Sequence, residues 1–157
     1  HMTLEPLILK MISYDHGSPE RIQHFLKVHS FAKTIAVFEH LDEKTLFITE
    51  AAAIVHDIGI RLCLEKYGDG NGKLQEKEGP SIAAKLLKDV IERVSFLVGH
   101  HHTYTGIDGL DYQILVEADF LVNLFEGNTD TAHIRATYDN IFRTETGKKI
   151  CREMFGL

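Results

Sequence analysis

The sequence predicts an all-α protein that folds as one compact bundle of five to seven helices. Apolar side chains recur every three to four residues in several long segments, which is the spacing of one helix face. Strand-like alternation of apolar and polar residues is nowhere convincing, and no apolar run approaches the roughly 20 residues that a membrane span needs. The 157 residues, 44% of them hydrophobic, suit one domain. We expect this domain to cover residues 3–157, after a vector-derived His1 in residues 1–2.

The net charge and the cysteine content exclude several classes of function. The formal net charge is −6, with acidic and basic residues mixed along the chain, whereas proteins that bind nucleic-acid polymers or membrane surfaces need a basic field. The two cysteines, Cys63 and Cys151, lie far apart without metal-type spacing. They favour a reducing, cytoplasmic location. The expected partner is a small molecule, and a spare C-terminal helix could also form a homodimer contact.

Helix-start and helix-stop residues divide the first third of the chain. Residues 4–14 have the pattern of a short helix. Ser18, followed by proline, is a typical start for a second helix that runs to about His40. Asp42 is the expected N-cap of a third helix, which Gly59 is expected to end.

The rest of the chain alternates loops with helices. Residues 60–77 are rich in glycine and charge, which favours a mobile surface loop or lid. Residues 78–102 indicate a helix pair, or one helix with a joint near Lys88 to Val90. After a second loop, residues 110–127 form a strongly amphipathic pattern. Residues 129–155 are expected to supply one or two helices that cover the core.

Four polar residues fall where apolar side chains are expected. His29 lies on the apolar stripe of the second helix, and Asp119 lies within that of residues 110–127. His56 and Asp57 follow the apolar run AAAIV, where a carboxylate faces the negative end of a helix with no Lys or Arg in the same turn. Singly, such residues are usually satisfied by ordinary hydrogen bonds. Together they form a mixed nitrogen and oxygen set that suits Mn, Fe, Co, Ni or Zn.

This combination resembles the HD-domain superfamily of metal-dependent phosphohydrolases. An inward histidine is followed by a His-Asp pair after an apolar run, then by a histidine cluster and by Ala-Asp in an apolar helix. The resemblance covers residues from about 18 to 125. It implies that His29, His56, Asp57 and Asp119 are the primary metal ligands, with Mg as a further candidate ion. It also implies that a metal-activated water attacks phosphorus, and Asp57 is the first candidate to accept a hydrogen bond from that water.

A run of three histidines, His100, His101 and His102, exceeds what a helix end needs. The alternative is a solvated helix end, where exposed carbonyls favour protonated imidazoles. In two-metal branches of the superfamily, histidines at this point bind a second ion. The segment EGPSIA resembles the His-Gly-Pro segment of the branch that hydrolyses diadenosine tetraphosphate, with Glu78 in place of the histidine. A second site of Glu78 with His101 or His102 is therefore one reading, and His24 is a weaker functional candidate.

The other reading is a single metal per chain, with the histidine run acting on the substrate. His101 or His102 would then contact the phosphate, protonate the leaving group or activate the water, roles that suit an imidazole near pH 7. Both histidines are therefore candidate catalytic residues.

Four basic residues are candidate phosphate contacts: Arg21, Arg61, Lys66 and Lys73. Arg21 lies about two helical turns before His29, so it could reach the mouth of the metal site and is also a candidate catalytic residue. Arg61 directly follows the His-Asp turn, and arginine suits bidentate phosphate recognition. The two lysines could equally be solvated loop residues.

Three uncharged residues complete the candidate site. Asn123 lies one helical turn after Asp119 and could orient it, although a surface or capping role is as consistent with the sequence. Tyr67 and Tyr104 could stack on a base or cover the core.

The predicted function is metal-dependent hydrolysis of a nucleotide or another small phosphate ester. A di-iron oxygenase on the same scaffold is one alternative, and it would require six protein ligands. A non-catalytic metal- or nucleotide-binding regulatory module is another, and it would be expected to lack primary ligands that this chain retains. Closure of residues 66–77 over the substrate would help to exclude bulk water.

Overall fold

The computed structural model describes residues 3–86 and 92–157, and these residues contain nine α-helices and no strand. The all-α prediction is confirmed, with more helices than the five to seven expected. None of the described helices is long and apolar enough to cross a membrane. The helices are α1 (Glu5–Tyr14), α2 (Pro19–Phe38), α3 (Glu43–Val55), α4 (Ile60–Tyr67), α5 (Gly72–Leu86), α6 (Glu92–Val98), α7 (Leu110–Glu126), α8 (Thr131–Ile141) and α9 (Glu145–Phe155).

The core lies where α2, α3 and α7 pack against one another. The C-terminal half of α3 is buried on every side, which is consistent with its run of three alanines allowing neighbouring helices to approach closely. The buried residues of α2 recur every three to four positions, and α7 is buried over most of its length. The buried residues at the centre include Val28, Ala32, Ile35, Ala51, Ala52, Ala53, Ile54, Leu115, Ala118 and Val122.

Two of the expected helix starts are observed. Asp42 caps α3, because its Oδ1 accepts a hydrogen bond from the backbone N–H of Thr45 at 2.7 Å. Ser18 precedes α2 and Pro19 occupies the first turn, as predicted, although the Ser18 side chain makes no capping hydrogen bond. The fixed φ of proline therefore defines this start more than the hydroxyl does.

Gly59 does not end α3 as predicted. The helix ends at Val55, the next residues form turns, and α4 begins directly after Gly59. Gly59 has a right-handed φ of −73°, so its backbone does not require glycine. A Cβ there would lie only 3.0 Å from the backbone oxygen of Gln75 and 3.1 Å from the Cα of Gly79. Glycine is needed at this position because α5 packs directly against the turn that carries the His-Asp pair.

The predicted surface loop over residues 60–77 is wrong. Most of these residues belong to α4 and α5, which are joined by the short connection 68–71. Gly68 has a φ of +67° and ends α4, and the Asn71 side chain accepts a hydrogen bond from the backbone of Leu74 at 3.1 Å. Glycine and charge are therefore concentrated around one helix junction. The expected joint near Lys88 to Val90 lies outside the described residues.

The amphipathic helix at 110–127 is confirmed as α7, and the C-terminal segment forms two helices, α8 and α9. Glu117 on α7 is fully buried and accepts hydrogen bonds from Gln113, the backbone of Arg143, and both the backbone and hydroxyl of Thr144, at 2.6–3.0 Å. These four donors satisfy a buried carboxylate without a cation. They fix the start of α9 against α7.

Candidate metal centre

Four side chains from three parts of the fold converge in the core. His24 comes from α2, His56 and Asp57 come from the turn after α3, and Asp119 comes from α7. One ligand atom from each of the four lies within 4.8 Å of the others. His56 and Asp119 are buried, whereas His24 and Asp57 retain some contact with solvent. The group is thus a partly open cluster with two nitrogen and two oxygen donors.

The separations within this cluster fit a single bound metal ion. His24 Nε2 lies 3.0 Å from Asp57 Oδ2 and 3.1 Å from Asp119 Oδ1. His56 Nε2 lies 3.3 Å from each of the same two oxygens and 3.3 Å from His24 Nε2. Two atoms bound to one ion at about 2.1 Å are roughly 3.0–3.4 Å apart in octahedral or tetrahedral coordination. The donor types and their spacing therefore suit a divalent transition metal.

The orientation of the imidazole rings also fits metal binding. His56 Nδ1 donates to the carbonyl of Ala53 at 2.7 Å, so its Nε2 points into the cluster. His24 Nδ1 lies 2.7 Å from Glu126 Oε1, and the His24 Nε2 likewise points inward. An outer hydrogen bond at one ring nitrogen fixes the tautomer and the ring direction of a metal-binding histidine. Glu126 in turn contacts Lys27 Nζ at 2.7 Å.

Opposite charges balance one another in the cluster. Burial favours a lower pKa for His24, but hydrogen bonds with Asp119 and Asp57 outweigh it and raise the pKa to about 10. Burial favours a higher pKa for Asp57, yet His56, together with His101 and His24, holds it well below its usual value. The pKa of Asp119 is lowered against burial by His56 and His24. Both carboxylates are therefore ionised at neutral pH and supply the negative charge that a cation needs.

His29 is not brought to this cluster, so its expected place among the primary ligands is corrected. Its Nε2 contacts Glu50 Oε1 at 2.9 Å, at a separate contact between α2 and α3. His24 occupies the expected place instead. The buried pattern of α2 runs through His24, Val28, Ala32 and Ile35, at steps of three to four residues. That pattern was the available signal, because it places His24 on the core face and His29 at its edge.

His101 and His102 lie beside the primary cluster. With Asp57 they form a second group whose ligand atoms lie within 4.8 Å of one another. His101 is buried, its Nδ1 donates to the carbonyl of Val98 at 2.7 Å, and its Nε2 lies 3.2 Å from Asp57 Oδ1. His100 points elsewhere and stacks on a phenylalanine. Asp57 therefore presents one oxygen to each group.

Glu78 does not reach these histidines, which corrects its expected place in a second site. Its Oε1 accepts from Lys66 Nζ at 3.0 Å and from the Tyr67 hydroxyl at 2.6 Å. Two α5 residues approach instead: Gln75, whose Oε1 lies 3.3 Å from His102 Nε2, and Glu76, whose Oε2 accepts from the backbone N–H of His102 at 3.2 Å. Gln75 and Glu78 lie on the same side of α5, but Glu78 is almost one helical turn further along the helix, where it contacts α4 instead of the histidines.

Arg21 and Arg61 lie on the Asp15 side of the cluster. Arg21 Nε is 3.6 Å from Asp15 Oδ1 and is buried with no hydrogen-bond partner among the described residues. Burial raises the pKa of Asp15, Arg21 lowers it, and the charge of Asp57 raises it. Arg61 donates to the carbonyl of Tyr14 at 3.1 Å and to Glu65 at 3.2 Å. Asp15 thus interacts electrostatically with both Arg21 and Asp57, and Arg21 has an unused donor.

Of the other candidate contacts, Lys73 lies close to the histidine run, whereas Lys66 and Tyr67 do not reach the cluster. Lys66 and Tyr67 form the surface contacts with Glu78, so the structure does not bring them to the cluster. Lys73 donates to Glu76 at 3.0 Å and to the Thr103 hydroxyl at 2.9 Å, close to the histidine run.

The two remaining candidates, Tyr104 and Asn123, differ in whether they contact the histidines of the site. Tyr104 lies with its hydroxyl 3.3 Å from His102 Nδ1. Asn123 is exposed, and Glu126, two helical turns after Asp119, makes the outer contact with the cluster instead. Glu126 was missed in the sequence, although its spacing from Asp119 places both on one side of α7.

Comparison with known proteins identifies the fold. No family model matches the sequence, and no curated protein matches it. A crystal structure of a predicted HD superfamily hydrolase from an uncultured Thermotogales bacterium matches with a TM-score of 0.67 and 22% sequence identity. The match covers 98% of this chain and 86% of that one. The chain therefore has an HD-domain fold, and a fold does not by itself fix the reaction.

Proposed function

We propose that the protein is a metal-dependent phosphohydrolase that acts on a small phosphate ester, with nucleotides as the preferred class. One observation carries the proposal: His24, His56, Asp57 and Asp119 bring two imidazole nitrogens and two carboxylates to metal-binding distances at a partly open position. A buried group of this kind without a cation would need other compensation for its carboxylates. The HD-domain fold supports the assignment by analogy.

A divalent ion at this position would supply a lower pKa for water and would polarise the phosphoryl oxygens. The chain's own contribution is geometric. Asp57 directs Oδ2 toward His24 and His56 and Oδ1 toward His101, so it lies between the two groups. A carboxylate in this position can accept a hydrogen bond from the attacking water and orient it. Its place after the end of α3 also becomes favourable when a cation lies beside it.

The reaction is an in-line displacement by water. The water oxygen forms a bond to phosphorus, the bond from phosphorus to the ester oxygen breaks, and the two protons of water divide between the released alcohol and the phosphate. Burial, with a contribution from the charge of His101, lowers the pKa of His102 to about 4. His102 is therefore neutral at pH 7, and it suits orientation of the phosphate by hydrogen bonding better than proton donation.

Arg21 is the best-placed phosphate contact. Its Nε is buried without a hydrogen-bond partner among the described residues, which is costly unless a ligand or water supplies an acceptor. The nearby Asp15 keeps the guanidinium in place at 3.6 Å without saturating it. Arg61 has a donor to Tyr14 and an exposed position, so it is proposed as a secondary contact. Arginine recognises phosphate oxygens in a fixed, planar geometry.

The test is metal analysis of chelator-free protein, together with phosphate release from a nucleotide panel in the presence of Mn, Co, Ni, Mg or Zn. We expect about one or two metals per chain and release from at least one ester. Asp57→Ala should remove most of the metal and lower phosphate release by about a thousandfold or more. Asp139→Ala, a change of the same type on the exposed side of α8, is the matched control. Full activity of Asp57→Ala with added Mn would contradict the proposal.

A second candidate function is a di-iron oxygenase. It is favoured by one observation, that the two neighbouring groups together contain six side chains with Asp57 shared between them. The remaining members are His24, His56, Asp119, His101 and His102. This function predicts two irons per chain, a visible absorption band from the iron pair, and no phosphate release. The metal analysis therefore separates the two candidates.

A further inference from the structure

An exposed aromatic ring lies next to the histidine run. Tyr104 follows this run in the loop before α7, and its ring packs against Phe120 with centroids 5.0 Å apart and an angle of 51° between the ring planes. Phe120 directly follows Asp119 in α7, and the Tyr104 hydroxyl lies 3.3 Å from His102 Nδ1. Tyr104 is therefore held by contacts with Phe120 and His102, while 40% of the residue remains exposed to solvent. Such a fixed ring can stack on a planar ligand with little loss of conformational freedom.

The same tyrosine forms one wall of a cavity of about 290 Å³. The cavity lies between the 103–109 loop, the first turn of α7 and the junction of α8 with α9. Its volume is at the lower limit for small-molecule pockets, and it suits one planar ring system better than a large ligand. The lining residues are Tyr104, Ile107, Gln113, Asn140, Ile141 and Arg143.

The chemistry of the cavity favours an uncharged polar ring over a phosphate. The guanidinium of Arg143 donates to the backbone carbonyls of Asp139, Asn140 and Phe142 at 2.7–3.2 Å. Its positive charge is therefore already directed at the negative end of α8. Gln113 Nε2 donates to the carbonyl of Ile141 at 2.9 Å, so the carbonyl edge of α8 forms part of the wall. Gln113 Nε2 also donates to Glu117, so the Gln113 amide oxygen and the Asn140 side chain are the groups that can pair with the polar edge of a ring.

We propose that this cavity binds the base of a nucleoside monophosphate whose phosphate lies at the metal centre. The proposal rests on the phosphohydrolase function argued above, and it assigns the substrate class. Tyr104 connects the two sites, because it lines the cavity and its hydroxyl contacts His102. The base would stack on Tyr104 and meet the polar edge of Gln113 and Asn140. The Ile107 and Ile141 side supplies apolar contact.

The first experiment compares substrates with and without a base. Phosphate release from purine and pyrimidine nucleoside 5′-monophosphates is measured beside release from ribose 5-phosphate. The cavity should raise kcat/KM for at least one nucleotide by roughly tenfold or more, chiefly through KM, because stacking on an aromatic ring contributes an effect of this order. Equal kcat/KM for ribose 5-phosphate would overturn the base site and leave the phosphohydrolase function standing.

A different outcome tests the two proposals separately. If neither substrate is hydrolysed, the phosphohydrolase function fails. Calorimetric binding of the same monophosphates then tests whether the cavity binds a base. Tighter binding of a nucleoside monophosphate than of ribose 5-phosphate would retain the base site. Equal or absent binding would overturn it.

A cavity-filling substitution sharpens the result. Asn140→Trp places a large ring at an exposed lining position, and we expect the preference for the nucleotide over ribose 5-phosphate to fall about tenfold. Ala132→Trp, on the exposed surface of the same helix and outside the cavity lining, is the matched control and should retain the preference. Thermal melting of both variants checks that each one folds. An unchanged preference in folded Asn140→Trp would contradict the base site.

Discussion

Two pairs of histidine and carboxylate lie between α2 and α3, and only one belongs to a larger cluster. His29 and Glu50 contact each other at 2.9 Å, with Lys33 Nζ 3.9 Å from the same carboxylate oxygen. His24 instead meets Asp57 at 3.0 Å, and the contact is joined by donors from the end of α3 and from α7. The first pair lies between two helices, beside a lysine. The second pair gains a further carboxylate from a third helix, α7, so that four donor atoms converge there.

The difference shows what distinguishes a metal site from a core hydrogen bond. A single carboxylate beside a single imidazole satisfies both groups, and a nearby lysine offsets the remaining charge. Two carboxylates beside two inward Nε2 atoms direct four donor atoms at one point, and a cation that displaces the imidazole protons can bind all four. Convergence from α2, α3 and α7 therefore matters more than the identity of either histidine.

Substitution of the two histidines should give the largest difference. His24→Ala removes an inward Nε2 and should lower metal affinity by at least about a hundredfold, with a comparable loss of phosphate release. His29→Ala removes only the contact with Glu50 and should leave metal content unchanged. Metal per chain, measured on both variants after identical purification, checks the prediction. Loss of metal in His29→Ala with retention in His24→Ala would reverse the assignment.

The outer carboxylates offer the next contrast. Glu126 holds His24 Nδ1 at 2.7 Å, so Glu126→Gln should weaken metal binding by roughly tenfold through lower basicity and looser orientation of the imidazole. Glu50→Gln makes the same chemical change beside His29 and should leave affinity unaltered. Competition titration with a chelating dye measures both affinities. Equal values for the two variants would mean that Glu126 has no positioning role.

Protons should compete with the metal for the cluster, so that the metal affinity depends on pH. Because the pKa of His24 is raised to about 10, its Nε2 carries a proton at neutral pH that a metal must displace. Affinity should therefore increase with pH between about 6 and 9, by up to roughly tenfold per unit for each proton released. Calorimetry in two buffers of different ionisation enthalpy counts the protons. Affinity independent of pH, with no proton release, would contradict this expectation.

The sequence was sufficient to predict the fold class and most helices. The 3.6-residue pattern identified α7, and cap chemistry placed Asp42 at the start of α3. Residues 60–77 were misjudged because glycine and charge mark turns, and the short connection 68–71 concentrates both between two helices. The packing of α5 against Gly59 was also invisible, since it depends on which distant backbone comes within 3.0 Å.

The sequence predicts the kinds of side chain in the candidate site better than it predicts which side chains contact one another. His56, Asp57 and Asp119 were selected by their position in apolar helices, and the structure brings them together. His24 and His29 are five residues apart on α2, so a small error in the assumed direction of the core-facing side selects the wrong histidine. Contacts from α5 depend on the register of one helix against another, which no local pattern contains. Gln75 therefore reaches His102 where Glu78 was expected.

The smallest effect is expected at Glu78, where sequence resemblance and structure disagree most directly. Glu78→Gln removes a charge that is held by Lys66 and Tyr67 on the surface of α4 and α5. Neither partner belongs to the metal cluster, so metal per chain should not change and kcat/KM should stay within about twofold of the original value. Metal analysis and phosphate release on this variant check the prediction. Loss of one metal from a two-metal protein would show that Glu78 turns inward when the second ion binds, and that the contacts with Lys66 and Tyr67 are exchanged for it.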